Sequence, residues 1–181
     1  MSVSFTEDER VFKAITKDHK ILKEFEAVVG VLGSDASSMH KDDDGSSISN
    51  YELATVHEFG SDAGKIPERS FLRQAMDTNQ NAITKKIIEV YLSVLEGKDP
   101  KKELGKLGEF ARGLVLEQFK QEGDPKWPPL APSTVLGRLK KVSAAQASAF
   151  IGRGGDLGSS VRTLQDTGQL RQSIHSDVRK K

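Results

Sequence analysis

Apolar positions at the start of the chain follow two periods in turn. Val11, Phe12, Ile15, Leu22 and Phe25 recur near every 3.6 residues, with Lys13, Lys17, Lys20 and Lys23 on the other side. This predicts an amphipathic helix over 9–25. Ala27-Val28-Val29-Gly30-Val31-Leu32 is short and β-branched and ends at Gly33, which predicts a buried strand. Residues 34–49 are polar, and their composition predicts a loop that forms no core. Ser49-Asn50-Tyr51-Glu52 has the spacing of a capping box. The helix that follows turns Leu53 and Val56 inward, uses Phe59 as a core anchor and stops at Gly60 as a left-handed cap.

Proline and glycine punctuate the middle of the chain. The residue before Pro67 is held out of the helical region, so 66–71 is an extended crossing, with Phe71 and Leu72 capping the sheet. A helix is expected over 71–78. Another is expected over 81–96, with Ile83, Ile87, Tyr91, Val94 and Leu95 on one face and Gly97 ending it. Asp99-Pro100 opens the next, as cap and first-turn proline. It buries Leu104, Leu107, Ala111, Leu114 and Val115, reaches Phe119 and stops before Gly123. Residues 124–132, with Trp127, Pro128, Pro129 and Leu130, form a rigid loop, and Ser133 caps a helix carrying Val135, Leu136 and Leu139. Residues 143–160 are rich in Ala, Ser and Gly. Asp166-Thr167-Gly168 starts a short helix that turns Leu170 and Ile174 inward, and 175–181 is a short strand or a basic tail. The sum is an α+β fold: a small, mostly antiparallel sheet packed against three to four helices. A helix over 1–26 precedes a single domain over 27–181, with mobile loops near 34–48 and 143–160.

Composition narrows this picture. Among 181 residues 36% are apolar, 6% aromatic and 29% charged, which implies a thin core and stability gained in part from neighbours. With no cysteine, disulfides, thiolate metal sites and cysteine nucleophiles are excluded. The opening residues lack the basic start and apolar stretch of a signal peptide, and no run approaches a membrane span. No membrane partner is expected. The near-neutral total hides an asymmetry. Residues 1–60 hold 6 basic and 12 acidic side chains (−6), 61–134 hold 12 and 11 (+1), and 135–181 hold 9 and 3 (+6). Either the two ends attract each other within one fold, or an acidic face of one subunit meets a basic face of the next.

Candidate chemistry is sparse. His40 with Asp42, Asp43 and Asp44 lacks the order and distal Glu of a calcium loop, and reads as a solvated acidic run. His57-Glu58 begins like a zinc-protease helix, but the second histidine position is Ser61. There is no Gly-x-Ser-x-Gly elbow. Gly152-Arg153-Gly154-Gly155-Asp156 lacks the Gly-Lys-Ser/Thr ending of a phosphate cradle. The basic end has no interleaved aromatics, so nucleic-acid contact is at most incidental. No catalytic residue, cofactor or metal is expected.

Three blocks carry a resemblance. The first is Ala54-Thr55-Val56-His57-Glu58-Phe59-Gly60 followed by Ile66-Pro67-Glu68-Arg69-Ser70-Phe71-Leu72-Arg73. The second is Pro128-Pro129-Leu130-Ala131-Pro132-Ser133-Thr134. The third is Asp166-Thr167-Gly168-Gln169-Leu170-Arg171-Gln172-Ser173-Ile174. In this order they resemble the neck or tail-completion proteins of tailed bacteriophages, relatives of Mu-type virion-morphogenesis and lambda-type minor tail proteins. The likeness spans about 27–178. The family's usual Pro-Ala-Arg-Pro-Phe has Glu68 and Ser70 in place of the small residue and the second proline, and the 143–160 stretch is longer than usual.

The resemblance implies a structural virion protein, no enzyme, that acts in tail completion and head–tail joining. It implies assembly in the host cytoplasm, residence in the virion, and other virion proteins (tail terminator, connector or stopper) as partners. It also implies self-association in a sixfold ring. A tail terminator, connector or minor tail protein is the alternative within the virion. A small hydrolase using His57 and Glu58, or a nucleic-acid binder using 135–181, is the alternative outside it. The motif residues Glu58, Phe59, Gly60, Pro67, Arg69, Phe71, Leu72, Trp127, Pro128, Pro129, Leu130, Gly168 and Leu170 then build the scaffold or face a partner. Arg69 is expected to pair with Glu58, and the loop around Trp127 to supply contact surface.

Overall fold

A helix and a strand open the described part of the chain, and a run of helices fills its middle. A computed structural model describes residues 9–41, 47–131, 134–135, 163–164 and 168–181. Helix α1 (Glu9–Glu24) gives directly onto strand β1 (Phe25–Val31). A 3-10 turn (Gly33–Ser37) leads to β2 (Met39–Lys41), which pairs antiparallel with β3 (Ser47–Ser49). Helices α2 (Asn50–Phe59), α3 (Leu72–Thr78), α4 (Gln80–Leu95) and α5 (Pro100–Gln121) follow, then a short α6 (Gln169–Gln172) and β4 (Ile174–Lys180). Strand β4 returns to pair antiparallel with β1, from Phe25 opposite Lys180 to Val31 opposite Ile174. The fold is α+β, as the residue pattern predicts. Among the described residues no helix is long and apolar enough to cross a membrane.

Helix α5 is the spine. The Asp99 side chain accepts from the Lys102 amide (2.8 Å), Pro100 occupies the first turn, and Glu122 closes the helix in the left-handed region (φ 59). Its 22 residues span about 33 Å at 1.5 Å per residue, so one helix serves two cores. At its first turns Leu104 packs with Leu22, Val90 and Val94, beside Phe25, Leu107 and Val178. At its far end Val115 and Phe119 pack with Ala54, Phe71, Trp127, Leu170 and Ile174. Phe119 is tilted against Phe71 (centroids 5.0 Å apart) and meets Trp127 edge to face at 6.0 Å. Between the cores α5 lies on the β1–β4 ladder at Gly108. A Cβ there would come within 3.1 Å of the Ser176 Cβ.

The two ends of the chain meet within the fold. Arg179 Nε lies 3.0 Å from Glu26 Oε1, and His175 Nε2 lies 2.7 Å from Asp35 Oδ2. Residues 175–180 are strand, paired with β1. Four expectations are corrected. The polar 34–49 stretch contains a 3-10 turn and a strand pair, because backbone bonds rather than apolar side chains hold it; Asn50 N also donates to Ser38 O at 2.9 Å. Strand β1 is half-buried along most of its length, since α5 covers one face. On α4 the buried positions are Val90 and Val94, while Ile87, Tyr91 and Leu95 turn outward. The helix is apolar on several sides, and packing against α5 and Leu22 chose a face that periodicity did not. Ile174 is inward but belongs to β4. The 42–46 run, the side chains of Val11 and Phe12, the Ser133 cap, Leu136 and Leu139, the 143–160 stretch and Asp166-Thr167 lie outside the described residues.

Two measurements check this packing. Gly108→Val is expected to lower the unfolding free energy by about 1–3 kcal/mol in urea denaturation, the usual cost of overfilling a close contact. An unchanged midpoint would refute the close helix–sheet contact. The second concerns Glu109, whose Oε1 accepts from Ser176 Oγ at 2.6 Å. That hydroxyl holds the Glu109 carboxyl below the usual carboxylate range, against a smaller opposing effect of burial and with a still smaller contribution from the charge of Arg112. A depressed folded-state value contributes stability above the unfolded value, and this is lost as pH falls through the folded one. Ser176→Ala should move the Glu109 titration midpoint upward by NMR; an unmoved midpoint would exclude the hydroxyl as the cause.

Candidate functional site: a buried carboxylate junction and an apolar groove

Helix α2 begins as its sequence predicts. Ser49 Oγ accepts from Glu52 N (3.2 Å), and Glu52 Oε2 accepts from Ser49 N (2.9 Å). The capping box sets the rotation of the helix, and at its far end Glu58 points inward at 6% exposure while Phe59 points outward at 65%. Glu58 Oε1 accepts from Ser70 Oγ (2.5 Å) and from Arg73 N (2.9 Å), and Oε2 accepts from Leu72 N (2.9 Å). Leu72 is the first residue of α3, and its own N-cap, Phe71, supplies no side-chain bond. Glu58 thus caps α3 from another helix, where a negative charge meets open amides and the positive end of the helix dipole.

A tight turn makes this possible. Gly60 sits at φ 74, ψ 178, and a Cβ there would come within 3.0 Å of Glu68 N and 3.1 Å of Ile66 O. The expected positive φ is present, but the extended ψ sends the chain onward instead of closing a left-handed cap. Ser61 and Ile66 exchange backbone bonds (2.8 and 2.9 Å), and Arg69 N donates to His57 O at 2.7 Å. This places Arg69 in the interior, where Nε and Nη2 donate to the carbonyls of Pro128 and Pro129, each at 3.0 Å. One guanidinium fork therefore ties the first block to the second. Trp127 Nε1 donates to Gln74 Oε1 (2.8 Å), and Gln74 Nε2 donates back to Pro125 O (2.8 Å).

The structure redistributes the predicted site residues. The expected Arg69–Glu58 ion pair is replaced by two locks facing opposite ways, one on proline carbonyls and one on Ser70 and α3. Phe59 is no core anchor, because the Ala54–Glu58 stripe takes the inner face of α2. Phe71 is fully buried against Phe119 instead of capping the sheet, and Leu72 is half-buried beside it. Trp127, at 8% exposure, belongs to the core. Pro67, Pro128 and Pro129 are exposed, and Leu130 is half-buried. Gly168 is left-handed (φ 75) just ahead of α6, and Leu170 is buried. Sequence reading missed Ser70 and Gln74. Ser70 carried a signal, since it stands where the block it resembles has a second proline.

Beside the junction lies an open apolar groove of about 540 Å³. Tyr51, Ala54, Thr55, Glu58 and Phe59 of α2 form one wall, and Leu72, Arg73 and Met76 of α3 form another. Val29, Gly30, Val31 and Leu32 form the third. Successive strand residues point to opposite faces, so four in a row on one groove mean that β1 presents its edge. Among the described residues, β4 is the strand paired with β1, and the edge toward the groove has no strand on it. Arg73 pairs with Glu68 on the rim and lies over the Phe59 ring (5.9 Å to the centroid). A second apolar surface runs along α4, where Ile87, Ile88, Tyr91, Leu92 and Leu95 form a continuous stripe. No protein-family model, curated protein or solved structure matches this chain.

The arrangement is suited to holding elements together and offers little for turnover. Three of the roughly four acceptor sites of the Glu58 carboxylate are filled by fixed donors of the protein itself. Glu58→Ala is expected to cost about 3 kcal/mol of unfolding free energy and Ser70→Ala about 1 kcal/mol, because buried donors lose their acceptor in the first and one bond is lost in the second. Chemical denaturation measures both. A loss under about 1 kcal/mol for Glu58→Ala would show that the junction is not central.

Proposed function

We propose that this chain is a structural protein of a tailed-phage virion, acting by protein–protein assembly in tail completion and head–tail joining at the neck. The observation that carries the reading is the convergence of the three resemblance blocks. Glu58, Ser70 and Arg69 of the first engage one another or the second through Pro128 and Pro129. Leu170 and Ile174 of the third pack in the same core as Phe71 and Trp127. Residues scattered over more than a hundred positions thus meet in one junction, which is how a shared scaffold would leave its trace in sequence.

The proposed mechanism is complementarity between surfaces, without a chemical step, and with the protein repeated around a ring. The commitment of Glu58 to backbone amides favours this over a hydrolase built on His57 and Glu58. The test is assembly complementation. A phage lacking this protein should accumulate filled heads and separate tails, and supplying it should restore joined particles. Intact infectious particles from the deletion would refute the reading, as would sustained turnover lost in His57→Ala. Density for the chain at the neck of the particle would distinguish tail completion from a terminator, connector or minor tail role.

A further inference from the structure

We draw no further inference here: the strongest candidate, the apolar groove that α2 and α3 form beside the edge of β1, carries nothing, because Arg73 on its rim is already paired with Glu68 and nothing in the structure shows what covers it.

Discussion

A buried carboxylate between two helices fixes the geometry on which the rest of the fold depends. Glu58 ends α2 and caps α3, so the relative placement of those helices follows from three bonds to one side chain. The segment between them is short and held by the Gly60 turn and the Ser61–Ile66 bridge. Within that segment Ser70 faces Glu58 while its neighbour Arg69 reaches to the proline loop. Adjacent residues thus brace in two directions. The proline loop in turn delivers Trp127 onto Phe119 of α5, and the spine helix is locked at its far end.

The near end of the spine is held differently. There the β1–β4 ladder lies on α5 at Gly108. The acidic opening of the chain and its basic end come together through this ladder, with Arg179 on Glu26 and His175 on Asp35. Exposed pairs of this kind contribute little each, so the ladder and its packing hold the sheet while the charges favour its pairing. Among the described residues, one pair from the two oppositely charged ends, Arg179 with Glu26, is thus made inside one fold.

How much of this was legible in the sequence differs by element. The helices were readable because each has local signs: the Ser49–Glu52 box, Asp99-Pro100, and apolar spacing along 9–25 and 81–96. Strand 27–32 was readable from its β-branched run. The β2–β3 pair was not, since Met39 and Ile48 are lone apolar residues and the pairing is made by backbone. The inward turn of Glu58 was also hidden. A charged residue beside Phe59 reads as the exposed one of the two until its acceptor role is known, and its partner Ser70 lies twelve positions away. The facing of α4 was ambiguous in principle, because a helix apolar on most sides has no unique buried stripe.

That ambiguity has a physical consequence. A chain with 36% apolar residues has few to spare, yet α4 leaves Ile87, Ile88 and Leu92 exposed, while Tyr91 and Leu95 line a small cleft beside Ile15 and Leu22 of α1. Burying a large aliphatic side chain completely stabilises by about 1.5–3 kcal/mol, so a stripe left half-covered is stabilisation the monomer forgoes. Substituting polar residues there would leave the fold intact and the surface wetter. The groove beside Glu58 is walled in part by that carboxylate, whose oxygens are already engaged by three internal donors. The interaction that orders α2 and α3 therefore also shapes the wall of the groove between them, because the side chain that caps α3 is one of its lining residues.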